Sequence, residues 1–189
     1  MTFRILATAL LLMLVGVTLC AAEPLSPAVG LTASQTQERA TLLAALAATR
    51  SDAEAREVKD RLRAFWRSFA DAKSMELLEE SRQSQLRFDY DEALLYVKAV
   101  VEHQPQFAEG WNELGYVYFL AGKYDAALAA IDHVLALEPM HYAALAGKGI
   151  ILYYRGEVAA AQAPLKRALA IDPWLKERNL IGKDSVPMP

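Results

Sequence analysis

The chain has 189 residues, 20 of them basic and 23 acidic, for a formal charge of −3. There is no basic excess to bind nucleic acid or an anionic membrane surface, and the length suits one domain. A single cysteine, Cys20, cannot build a disulfide framework.

The opening residues read as a segment to be removed. Met1 to Arg4 carry one positive charge, Ile5 to Leu19 are apolar, and Cys20, Ala21 and Ala22 precede Glu23 and Pro24. This is the pattern of a secretory signal peptide over residues 1–22, cleaved after Ala22. It predicts export, to the periplasm in a Gram-negative cell. The competing reading is an inner-membrane anchor at residues 5–19, but that run falls short of the roughly 20 residues that span a bilayer. Lipidation at Cys20 is weakly signalled, because Leu19 stands where a small residue is needed. Cleavage leaves 19 basic and 23 acidic residues, a formal charge of −4, and no cysteine. Stability must then come from packing alone.

Residues 23–33 contain Pro24, Pro27 and Gly30 among small residues and predict a flexible leader. A first helix is expected from Ser34, where Ser34 and Gln37 form a capping-box pattern, through Leu42, Leu43, Leu46 and Ala47. Ser51 and Glu54 repeat the pattern. Val58, Leu62, Phe65, Trp66 and Phe69 follow at helical spacing and make a strongly amphipathic second helix.

From residue 74 onward the chain repeats itself with a period of 34, as Pro105, Pro139 and Pro173 show. Ala93, Ala127 and Ala161 keep the same register, as do Val97, Ile131 and Leu165. Gly115 recurs as Gly149 and Tyr90 as Tyr124. The units are 74–107, 108–141 and 142–175. In the middle unit Gly115 and Ala127 fall where two antiparallel helices would cross, and a larger side chain there would push them apart. Gly122 suits a left-handed C-cap, and Pro139 cannot continue the second helix. The first unit is degenerate, with Leu77 and Ser81 at the Trp and Gly positions and a polar run from Arg82 to Gln85. Trp174, Leu175, Leu180 and Ile181 predict a short C-terminal capping helix, and the remainder of 176–189 a frayed tail.

Trp111, Leu114, Gly115, Tyr118, Ala127 and Pro139 fill every marked position of the tetratricopeptide repeat signature. On these residues the chain resembles a tetratricopeptide repeat protein. From Leu42 onward, including Phe107 to Asn112, it resembles small exported members of that family from proteobacteria, departing at Arg63, where a second Trp is expected. The resemblance implies an all-α fold, a right-handed antiparallel helix-hairpin solenoid of three repeats between an N-terminal helical pair (34–73) and the C-terminal cap. Lys59 and Asp71 break the repeat register, so the pair is read as an N-terminal cap covering the first repeat. The rival reading is a dimerisation helix presenting Phe65, Trp66 and Phe69.

In such arrays the first helix of each hairpin lines a groove, and the matching positions here include Arg82, Asn112, Tyr116, Phe119, Ile150, Tyr153 and Tyr154. They imply an aromatic wall for a protein or peptide partner. The competing expectation is that some rings pack on each other or on the N-terminal pair. Where one subclass grips a C-terminal carboxylate with asparagines, this chain has Glu79, Glu113 and Gly147, and an acidic replacement repels that ligand.

Nothing in the sequence organises catalysis. His103, His133 and His141 show no metal-binding spacing, and Gly122–Lys123 is followed by Tyr124 where a phosphate loop needs Ser or Thr. Gly147 and Gly149 fall within a helix rather than after a strand, and the carboxylates scatter over helix surfaces. We therefore expect no catalytic residue, cofactor, metal or small-molecule substrate. The expected function is a non-catalytic exported adaptor or assembly factor. The alternative is a self-associating or membrane-anchored structural component of an envelope complex. A homo-oligomer is possible on that reading, and membrane contact requires the N-terminal segment to stay uncleaved.

Overall fold

Short polar residues open the first four helices of the computed structural model, which describes residues 30–182. Helix α1 (Ala33–Ala47) is capped by Thr32, whose hydroxyl accepts the Gln35 N–H at 3.2 Å while the Gln35 side chain accepts the Thr32 N–H at 2.9 Å. This capping box lies two residues before the Ser34–Gln37 pairing expected from sequence. Both pairings fit the same spacing, and the earlier one adds half a turn of helix. Ser51 caps α2 (Asp52–Arg67), Asp71 caps α3 (Ala72–Leu86), and Asp89 caps α4 (Tyr90–His103). Each accepts the N–H three residues on, which satisfies a donor that the helix itself leaves free.

The remaining helices are α5 (Ala108–Leu120), α6 (Tyr124–Leu137), α7 (Tyr142–Tyr154) and α8 (Val158–Ile171), followed by a 3-10 helix at Lys176–Leu180. Among the described residues there is no strand. Pairs α3–α4, α5–α6 and α7–α8 are tightly packed antiparallel hairpins stacked in chain order. The small residues set their closeness: a Cβ built on Gly115 would stand 2.8 Å from Ile131 Cδ1 and 3.4 Å from the Ala127 carbonyl. Where the first hairpin has Ser81 at the same position, its buried hydroxyl donates to the Ala93 carbonyl at 3.2 Å. The degenerate repeat therefore still closes its crossing, by a hydrogen bond across the seam.

The turns inside the three hairpins share one backbone feature. Phe88, Gly122 and Gly156 have φ of 61°, 70° and 83°, and they are 34 residues apart. The second and third hairpins use glycine there, as the left-handed region favours. The first places a phenylalanine, 78 % exposed, in that region.

The N-terminal pair does not cover the first repeat. Its buried Leu42, Leu46, Ala55, Leu62, Phe65 and Trp66 form one core with Tyr142, Leu145 and Ala146 of α7 and with Ala168 and Ile171 of α8. The hairpin folds back onto the third repeat, and Phe69 and Ala70 lead α2 to the first. Polar contacts explain the choice of end. Lys59 Nζ lies 3.0 Å from Oδ2 of the fully buried Asp172, and Arg39 donates to Glu138 at 2.7 Å. The Trp66 ring stacks on His141 at 4.0 Å, and Trp174 Nε1 donates to the Thr49 carbonyl at 3.3 Å. The partner that each contact finds outside the hairpin, Asp172, Glu138, His141 or Trp174, lies in the last third of the chain. Lys59, out of register as a repeat residue, is in place as a docking cation.

The dimerisation reading is corrected by the same core. Phe65 and Trp66 are buried, and Phe69 is partly buried with its ring 5.2 Å from Phe65. These anchors are occupied within the chain. Residues 1–29 and 183–189, with the expected signal peptide, most of the expected leader and the end of the expected tail, lie outside the described residues. Among the described residues no helix is long and apolar enough to cross a membrane.

Candidate functional site

Helices α5 and α7 are the first helices of adjacent hairpins, and α6 lies behind them. Between them the sequence places small residues: Gly115 on α5, and Ala143, Ala146 and Gly147 on α7. With no side chain of any length to fill the gap, a cleft of about 310 Å³ remains. Ile131 of α6 forms its floor, reaching in because Gly115 has no Cβ to stop it. Asn112, Tyr116 and Phe119 supply the α5 wall, and Tyr142 and Ile150 the α7 wall. Leu175 and Glu177, after α8, close one end.

Ring contacts hold the walls in place. Phe119 meets Tyr154 edge-on at 5.5 Å and Tyr124 at 5.8 Å, while Tyr116 is 50 % exposed. The mouth of α7 is fixed by His141, whose Nδ1 accepts the Ala144 N–H at 3.1 Å. Nδ1 therefore bears no proton, and Nε2 donates to Glu109 at 3.0 Å. Burial pushes the Tyr142 hydroxyl well above its ordinary pKa.

Glu113 sits on the same wall. Its carboxylate accepts the Gln85 Nε2 hydrogen bond at 2.7 Å and forms no ion pair among the described residues. Burial pushes its pKa up, the Gln85 hydrogen bond opposes that, and the neighbouring Glu109 charge adds to it.

The residues expected in the groove divide into three groups. Asn112, Tyr116, Phe119 and Ile150 line the cleft together, and the exposed Tyr154 extends it at the rim through Phe119. Tyr153 does not face it: only 5 % exposed, it is buried with Leu152, Val158 and Leu165, and Leu180 and Ile181 pack against that cluster. Tyr154 is 59 % exposed, so burial rather than helical position separates the two neighbours. Arg82 is on α3, outside the cleft lining, and its guanidinium holds the exposed Glu79 carboxyl down at about 2 through hydrogen bonds of 2.6 and 2.9 Å.

Glu177 and Leu175 are lining residues that repeat-position reasoning misses, because Glu177 lies beyond the last repeat and Leu175 is its final residue, after α8. Glu113 was visible as the acidic replacement of an asparagine, without its place in the cleft. Each histidine has a partner in the fold: His103 contacts Asp71 at 2.7 Å, His133 stacks on Trp111 at 4.2 Å, and His141 caps α7. A larger cavity of about 520 Å³ lies between α1 and the junctions before α5 and α7. Its charged groups, Arg39 and Glu138, already satisfy each other, and Gly30 at its edge is the first described residue.

These elements define an all-α helical-hairpin solenoid with an open cleft on the face of its first helices. Residues 86–149 match the tetratricopeptide repeat family. No curated protein shows significant sequence similarity to the chain. Among solved structures it is similar to an O-GlcNAc transferase mutant from Thermobaculum terrenum, with 23 % identity and a TM-score of 0.51. That match covers 55 % of this chain and 20 % of the other. It is also similar to the TPR2AB domain of yeast Sti1 in complex with pHSP90, with 16 % identity and a TM-score of 0.53, over 77 % of this chain and 60 % of that one. The chain thus spans a fifth and three fifths of these two structures, and at such identities the likeness is one of fold.

Proposed function

We propose that this chain is a non-catalytic protein-interaction module, an exported adaptor or assembly factor that holds a peptide segment of a protein partner in the cleft between α5 and α7. The observation that carries this reading is the cleft itself, apolar at its floor and rimmed by half-exposed aromatic rings, left open beside a face that the N-terminal hairpin fills. Preformed clefts with apolar walls and few polar groups are where proteins take ligands, and about 310 Å³ is the lower end of that range. It admits one or two side chains of a peptide. The Sti1 structure is a complex with pHSP90, and it supports a protein or peptide as the kind of partner. Export rests on the sequence of residues 1–22, with the periplasm as destination in a Gram-negative cell.

Crosslinking in cells expressing the full chain, with mass spectrometry of partners and of the protein's own N-terminus, tests this. The expected result is one recurrent protein captured by the wild type and lost with Tyr116→Ala, helicity unchanged, and an N-terminus at Glu23. Capture that survives Tyr116→Ala overturns the cleft. An intact Met1 overturns export and returns the function to a membrane-anchored component.

A further inference from the structure

We infer that the cleft between α5 and α7 recognises a lysine or arginine side chain of its peptide partner, seated between the aromatic walls with its charge on Glu113 and Glu177. This rests on the reading of the cleft as a peptide site and names what it selects.

Charge is the first argument. The lining contains two carboxylates, Glu113 and Glu177, and no lysine, arginine or histidine. Neither carboxylate has an ion-pair partner among the described residues. Glu113 has only the neutral Gln85 amide, and the nearby Glu109 is engaged by His141. Arg67 reaches Glu113 only through space, and a partly desolvated carboxylate with no cation in contact is unfavourable, so an arriving cation relieves it. An anionic ligand would meet repulsion from both.

The fold supplies an internal precedent. Where the N-terminal hairpin docks beside this cleft, the guest brings the cations and the repeats bring the acids: Lys59 on Asp172 at 3.0 Å and Arg39 on Glu138 at 2.7 Å. Tyr142, Ala146 and Leu175 serve both the hairpin core and the cleft, so the two sites adjoin. The walls suit the rest of such a side chain. Tyr116 and Phe119 offer aromatic rings to a cationic head, and Ile131 and Ile150 offer apolar surface to its methylene stem.

The test is an NMR titration of the full chain with three acetylated, amidated tripeptides, Leu-Lys-Leu, Leu-norleucine-Leu and Leu-Glu-Leu, followed on the Gly115 and Gly147 amides at low salt. The expected result is binding of the lysine peptide about tenfold tighter than the norleucine peptide, with the glutamate peptide weakest. In Glu113→Gln, which can keep the Gln85 hydrogen bond, the lysine preference falls to near parity while norleucine affinity holds; Glu177→Gln lowers it partway. If lysine and norleucine peptides bind alike to the wild type, the cation inference is overturned and the peptide cleft stands. If none of the three moves the Gly115 and Gly147 signals at millimolar concentration, both readings fall.

Discussion

The two ends of helix α7 meet different company. Around Tyr142 and Leu145 its surface is covered by α1 and α2, with Trp66 stacked on His141 and Lys59 beside a buried Asp172. At Gly147 and Ile150 the same helix borders open space. The difference lies in side-chain size and charge pairing. The covered end has large apolar groups and acids matched by cations from the hairpin, whereas the open end has Gly147 against half-exposed rings and two unmatched acids. One solenoid face is thus a finished intramolecular interface at one end and an unfinished one at the other.

That contrast can be broken most forcefully at the covered end. Trp66→Ala removes a ring 3 % exposed and should cost about 4 kcal/mol in urea unfolding, the usual range for deleting a core aromatic. A cost below about 1 kcal/mol means the hairpin is not part of the cooperative core. Lys59→Met leaves Asp172 buried without its cation and should cost about 3 kcal/mol. Adding Asp172→Asn, which keeps the acceptor for the Trp174 N–H, should recover most of that. A double variant as unstable as the single one would show that the charge pair is not what anchors the hairpin.

Phe88→Gly serves as a control outside both ends. It gives the first hairpin the residue type its two counterparts use at positive φ, and should stabilise the protein by about 1 kcal/mol in the same assay. At the open end the effects are smaller and depend on pH. The raised pKa of Glu113 means that the folded state holds its proton to higher pH than the unfolded chain, so stability falls as pH rises above the ordinary carboxylate range. The facing groups are Gln85, Glu109 and Arg67. Glu113→Gln should therefore raise the urea midpoint at pH 7, and the gain should close as pH falls through the ordinary carboxylate range. A gain that persists in acid contradicts the assignment. Tyr116→Ala should change stability by less than about 0.5 kcal/mol, since its half-exposed ring carries little of the fold.

The repeat hairpins were legible because each depends on local features. The 34-residue period and the small residue at each crossing act within one or two helices, as does the cap at Ser51, and they reappear where expected. The cleft was legible in part: the groove positions implied by the repeat resemblance brought Asn112, Tyr116, Phe119 and Ile150 to one cleft, but they could not decide between Tyr153 and Tyr154. That choice depended on the cluster of Leu152, Val158 and Leu165 that buries Tyr153, against which Leu180 and Ile181 pack from beyond the last repeat. The docking of the N-terminal pair was not legible at all. Its cations and their acids are roughly a hundred residues apart in sequence, and no periodicity links Arg39 to Glu138 or Lys59 to Asp172.

By itself the sequence determined an all-α chain of stacked hairpins, because helix periodicity, caps and glycine or alanine at crossings are short-range instructions that each segment carries out alone. Tertiary structure decided which parts of the first-helix face are closed and which remain open. That outcome depends on long-range pairing of buried charge and on the space left between helices, and neither quantity exists until the distant segments have met.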